Sequence, residues 1–557
     1  MQSLSKLYKK NNRGYSLLGA VGSFNKIALT IDVPSPNNFS AVGHKRVMTD
    51  QDMAYAYLSG LLFHERVPPP NDSSVVDLIR TNQDVSYAYL SSLLLHERAH
   101  WLQSIGTTTG IFLSFLSDIQ EGLILRAYHD RITKLQPSDF PLIDLAYKAD
   151  EDWVSSWQAF ELLYNIVNGG LHVIDIKEMS ARAKPFGPGN ALVLFSNLCG
   201  SILQRACTKR LANSDLLSMW PNTDIASEFE KVPIVPDDNL MAYGALHLME
   251  ATSFLNESYE LLNYMDKFEV LNPRIESIYG KARKIFYENI HHLGPSGVSE
   301  VMFATIIDYA LNPPLPPVCP YPLSEDYKFS MNKLLPFVRF VTLAKVMREF
   351  KWHGGDVKLN DHIAVHNLIE EIYSFLEKRG MGAGIIAVFS YIQKALKSYN
   401  FDAQTDLYEL DELGVPRPKN KMGRFEFLLK RTLDAVKIRC EKPELFILPV
   451  SIYSCDKKEF YKLYDPISEP LLRVGQYLQP YRNKDSSWFY YFFLSAVNHD
   501  LGRWIVYCSF HEIVDHLKNY CRLFENQETG INLVLIAVYS FFQNEIIVKH
   551  IDKLLRG

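Results

Sequence analysis

His96, Glu97, Arg98, Ala99 and His100 form an H-E-x-x-H sequence inside a helical pattern that starts near Asn82 and ends near Gly106. Four residues of α-helix turn the chain through about 400°, so the two imidazoles lie about 40° apart and about 6 Å along the axis. Side chains so placed can both reach one tetrahedral metal ion. Glu97 falls beside them, where it can take a proton from a metal-bound water rather than ligate the metal itself. With 16 histidines in 557 residues and Glu bounded above by the 63 acidic residues, such a pattern arises by chance fewer than about 0.05 times in a chain of this length.

The helix that carries the motif is one half of an internal duplication. Residues 49–66 and 81–98 align at an offset of 32, with 13 of 18 positions identical, and both copies carry a Tyr-Ala-Tyr-Leu-Ser stretch before an apolar run. After His64, Glu65 and Arg66 the first copy continues into Val67 and Pro68 to Pro70, which stop a helix. The second runs on through Ala99, His100, Trp101, Leu102 and Gln103, so only it can present two histidines. Two copies are too few for a solenoid and predict two similar helices.

The stretch around residues 84–104 resembles the zincin metallopeptidases, in which such a helix holds a catalytic zinc. The resemblance implies a third protein ligand from a downstream helix, and Met249-Glu250-Ala251-Thr252-Ser253 is similar to the Asn-Glu-Ala-x-Ser stretch of the gluzincin branch. Glu250 is therefore the expected third ligand. Glu121, separated from His100 by 20 intervening residues, competes at a more ordinary spacing, and His247 is a further candidate. The gluzincin pattern places an Asp four residues after its ligand Glu to support a histidine; this sequence has Phe254 there, with Glu257 the nearest substitute. The implied chemistry is peptide hydrolysis. Zinc on His96, His100 and Glu250 keeps a fourth position for water and lowers its pKa toward about 7. Glu97 then acts as general base and passes the proton to the leaving amine. Tyr243, His247, Tyr259, His291 and His292 are the candidates for stabilising the oxyanion, and spacing alone does not choose among them.

A second constellation uses the same residues differently. Glu97 with His100 and Glu288 with His291 are both E-x-x-H pairs, and with Glu65 and Glu250 they resemble the ferritin-like di-iron carboxylate proteins. E-x-x-H pairs are cheap, nearly two being expected at random by rough count, and Pro68 truncates the first helix that this arrangement needs. A non-catalytic interaction protein with a structural metal site is a third reading, against which Glu97 stands intact. His362, His366 and Glu370 read as a polar flank beside an apolar face. Cys508, His511, His516 and Cys521 read as core and surface, because an offset of five residues turns the two histidines about 140° apart. The aromatic run from Trp488 to Phe493 reads as core filling. Neither a phosphate-cradling G-x-x-x-x-G-K loop nor a G-x-S-x-G elbow occurs in the chain.

The composition frames these expectations. Apolar residues make up 47% and charged residues 22% of the chain, as in folded globular proteins. The net charge of -5 offers no basic surface for nucleic acid, no stretch is apolar enough to cross a bilayer, and seven scattered cysteines suit reduced thiols. A cytoplasmic protein is expected, bound to neither nucleic acid nor membrane, with a peptide or protein as its substrate. Apolar residues recur mostly at spacings of three and four, while Lys26 to Val33 reads as a strand and Leu171 to Ile176 as a short second one. Residues 400–424, acidic first and basic later, read as a solvated loop. Six prolines between Asn312 and Pro322 mark a seam. The expected fold is mainly α, within the α+β class. It consists of a zincin-like region over 1–312 with a small N-terminal sheet, then a helical accessory domain over 323–557 that could dock a protein partner.

Overall fold

The computed structural model describes residues 23–25, 30–33, 92, 94–127, 131–148, 153–169, 187, 190–192, 194–195, 243–262, 280–290, 296–313, 335–379, 408–410, 416–418, 424–469, 471–474, 477–480, 486–524 and 526–557. Helices make up most of this. The motif helix, α1, covers residues 94–106 and is buried on every side, so it is the central rod rather than a surface helix. Leu94, Leu95, Trp101, Leu102 and Ile105 are its apolar contribution to the core. Thr107 ends it and starts the next. Its hydroxyl donates to the Gln103 carbonyl at 2.6 Å and accepts the Gly110 N–H at 3.0 Å, capping α2, Thr108–Ala127.

Around this rod lie α3 (Trp153–Asn168), α4 (Ala245–Leu262), α5 (Lys281–Asn289), α6 (Gly297–Ala310), α7 (Pro336–Val346), α8 (His362–Lys378) and α9 (Arg424–Glu441). Two shorter helices, α10 (Pro449–Cys455) and α11 (Lys457–Tyr464), complete the shell. The expected amphipathic face of α8 is present: Asp361 caps it by accepting the Ala364 N–H, and Val365, Leu368, Ile369, Ile372 and Leu376 are buried. A second core joins Ile132, Phe140 and Trp157 to the C-terminal helices α12 (Ser486–Tyr507), α13 (Phe510–Cys521), α14 (Gln527–Phe542) and α15 (Glu545–Arg556).

These cores do not divide where the prolines fall. The first core runs from Leu94 to Ile467, with α6 before the seam packed against α7 and α8 after it. The second unites residues from both sides. Both cores thus draw helices from either side of the expected boundary between 1–312 and 323–557. Proline interrupts helical hydrogen bonding, but nothing in that prevents the flanking helices from sharing one core. The last described residues before the seam even hold α2 in place, as Asn312 Oδ1 accepts the Thr108 N–H at 3.0 Å and the Leu311 carbonyl accepts that of Thr109 at 3.1 Å. Residues 314–322 lie outside the described residues.

The expected small N-terminal sheet is corrected, since it is not a unit of that region. Strands β1 (Ser23–Asn25) and β2 (Thr30–Val33) pair antiparallel, but β2 runs parallel to β5 (Leu471–Val474), which forms a hairpin with β6 (Tyr477–Pro480). Thr30 stands opposite Leu471 and Val33 opposite Val474. The segment read as a loop over 400–424 contains a short antiparallel ladder, β3 (Tyr408–Leu410) with β4 (Pro416–Pro418). The Leu171 to Ile176 strand and the first repeat copy lie outside the described residues. Among the described residues no helix is long and apolar enough to cross a membrane.

Candidate metal centre

Helices α1 and α4 pack side by side in opposite directions. His96 meets Glu257, His100 meets Ser253, and Gln103 reaches the Met249 carbonyl and the Thr252 hydroxyl, so residue numbers fall on α4 as they rise on α1. The Gln103 amide donates to Thr252 Oγ1 at 3.1 Å, which fixes the two helices in axial register.

That register brings three groups to one point. His96 Nε2 and His100 Nε2 are 3.2 Å apart, and Glu250 Oε2 lies 3.4 Å from the first and 3.3 Å from the second. Atoms ligating one tetrahedral ion at about 2.0–2.1 Å must lie about 3.3–3.4 Å from each other. The triangle has the size of one face of that tetrahedron, and two imidazoles with one carboxylate are a donor set suited to zinc. Both histidines are under a tenth exposed, but the Glu250 side chain keeps 20% of its accessible surface, so solvent reaches the cluster beside it. No second cluster of three such groups occurs among the described residues.

Beyond the triangle, His96 Nδ1 is 2.8 Å from Glu257 Oε2 and His100 Nδ1 is 3.3 Å from Ser253 Oγ. The charges are strongly coupled. Burial alone would lower the His96 pKa, but the carboxylates of Glu250, Glu257 and Glu97 outweigh it and hold the imidazole well above its usual value. Burial would likewise raise Glu250, yet His100 and His96 drive its carboxyl well below the usual carboxylate range. A raised His96 pKa stabilises the chelator-treated protein fully below the ordinary imidazole value of about 6.5, and this contribution is lost as pH rises through the raised value. A metal ion arriving at pH 7 must displace that proton. We expect release of about one proton per ion from His96 and weaker binding as pH falls. Calorimetric titration in buffers of different ionisation enthalpy measures this, and a binding heat independent of the buffer would contradict it.

Glu97 is 2% exposed and close enough to His96 to influence its protonation. Arg98, the next residue, is buried too. Its guanidinium lies 4.8 Å from the centre of the Tyr464 ring and 5.3 Å from that of Tyr461, whose hydroxyl accepts from it at 3.3 Å. Burial raises the pKa of Glu469, and the charge of Arg98 opposes that rise. Trp101 donates its indole N–H to the Ile467 carbonyl at 2.6 Å. The back of the motif helix is thus clamped by the 461–469 segment, a role for Arg98 that nothing in the sequence signalled.

The remaining candidates separate clearly. Glu121 lies in α2 with its side chain outside the described residues, and Glu65, His291 and His292 fall outside them altogether. Glu288, which the di-iron arrangement needs, is exposed on α5. Tyr243 stacks on Phe337 at 4.4 Å, and His247 meets its ring edge at 5.1 Å. Tyr259 lines a cleft of about 320 Å³ with Gly297, Val357, Val450 and Ser454, half a turn round α4 from Glu250. His366 Nδ1 pairs with buried Glu444 at 2.9 Å while Glu370 is exposed, which makes that row a flank. Cys508 and Cys521 are buried in the second core, His516 stacks on Trp504 at 4.8 Å, and Phe493 packs against Phe524.

Compared with protein-family models, curated proteins and solved structures, the chain matches none.

Proposed function

We propose that this chain is a zinc-dependent metallopeptidase of the zincin kind, closest in pattern to gluzincins, that hydrolyses peptide bonds of a cytoplasmic peptide or protein. His96, His100 and Glu250 would hold the zinc, and Glu97 would be the general base. The observation that carries this reading is the triangle of ligand atoms with edges of 3.2, 3.3 and 3.4 Å on an H-E-x-x-H helix. Zinc bound there would supply Lewis acidity, polarising the scissile carbonyl and bringing the pKa of a water toward about 7.

The chain's own residues supply the rest. Glu97 follows His96 on α1 and is buried close enough to act on its charge; its carboxylate would accept a proton from the attacking water and return it to the leaving amine. Its burial keeps the carboxylate out of bulk solvent, which strengthens its interaction with charge developing nearby. The rigidity of α1, packed on all sides and clamped through Arg98, holds this carboxylate and both imidazoles in fixed relation. Incubation of zinc-loaded protein with a peptide library, read by mass spectrometry, tests the proposal. Cleavage that stops on chelation and returns with zinc is the expected result. Cleavage indifferent to chelator, or none by the zinc-loaded protein, would contradict it.

A further inference from the structure

Three residues of α4 share one stripe. Glu250, Ser253 and Glu257 follow each other at i, i+3 and i+7, within about 60° around the helix. The first turns its Oε2 toward both Nε2 atoms, and the other two reach the far nitrogens of the same rings. A carboxylate can only accept, so the 2.8 Å contact from Glu257 Oε2 requires the proton of His96 to sit on Nδ1. The lone pair of a neutral ring is then left on Nε2, the atom that forms the triangle with His100 and Glu250. Ser253 lies 3.3 Å from His100 Nδ1, but a hydroxyl donates as well as accepts, so this contact does not by itself fix the His100 tautomer. Phe254 occupies the position one turn after Glu250, so it supplies no carboxylate there.

We propose that Glu257 is a positioning residue of the metal centre: it fixes the tautomer and orientation of His96, raises the basicity of its Nε2, and does so from two turns beyond the ligand Glu250. This inference rests on the zinc reading of the cluster. A carboxylate on the far nitrogen of a metal-binding histidine is worth about 10–100-fold in metal affinity.

The test compares wild type with Glu257→Ala and the isosteric Glu257→Gln, measuring zinc affinity by chelator competition and the visible absorption of the cobalt(II)-substituted proteins. Glu257→Ala is expected to bind zinc about 10–100-fold more weakly and to shift the cobalt spectrum. Glu257→Gln keeps an acceptor for Nδ1–H and should recover part of the affinity with a near-native spectrum, a rescue that mere loss of packing would not show. Wild-type affinity and spectrum in Glu257→Ala would overturn the inference while leaving the zinc site standing. A wild-type protein that binds neither ion would overturn both.

Discussion

Glu97→Gln should retain zinc at wild-type affinity yet lose about 10²–10⁴-fold in kcat, because the amide keeps the shape of the side chain but cannot accept a proton. That loss corresponds to about 3–5 kcal/mol of transition-state stabilisation. The effect is confined to turnover because Glu97 lies beside the ligand triangle rather than in it. KM should change little, since the substitution removes no group assigned to substrate binding. Steady-state kinetics together with metal analysis of the same preparation checks both halves. Undiminished kcat would remove Glu97 from the mechanism, and loss of zinc would recast it as part of the binding shell.

Asp308→Ala should destabilise the fold by about 3–5 kcal/mol, the cost of leaving a buried charge without its partner. Asp308 on α6 forms an ion pair with Arg439 on α9, both almost wholly buried, and accepts the Tyr373 hydroxyl at 2.9 Å. Arg439 also donates to the Gly106 carbonyl at 3.0 Å, satisfying an end group of the motif helix. The pair therefore supports the C-terminal end of α1 and ties it to α6 and α9. Glu545→Ala offers the contrast. Its i,i+4 partner Lys549 is 77% exposed, and a surface pair of this kind contributes at most about 0.5 kcal/mol. Denaturant unfolding of the two variants against wild type should separate them clearly; equal stabilities would contradict the account of Arg439.

Much of the candidate site was legible because its pattern is local. The spacing of His96 and His100 fixes their common face on any helix, and the stretch from Met249 to Ser253 singled out Glu250. What meets across two helices is a different matter. Glu257 was noted only as a substitute for a missing residue, because spacing along one helix says which residues share a stripe but not how far that helix has slid against its neighbour. The slide is set here by Gln103 on Thr252 and by the packing of Leu248 and Met249 in the core. Arg98 was illegible for a related reason. A charged residue in mid-motif reads as solvated, and the aromatic pair that buries it lies more than 360 residues away. The sheet failed as a local unit for the same cause, since β2 pairs with a strand near the other end of the chain. The residue pattern from Lys26 to Val33 marks a strand but says nothing of a partner so distant in sequence.

The most direct measurement is the metal content, by mass spectrometry, of protein purified without chelators, as wild type and as His96→Ala, Glu250→Ala and Glu121→Ala. The account predicts about one zinc per chain in wild type, lost in the first two variants and kept in Glu121→Ala, as expected for a tetrahedral site closed by three protein ligands. Absence of metal in wild type, two irons per chain, or zinc retained in Glu250→Ala would contradict it.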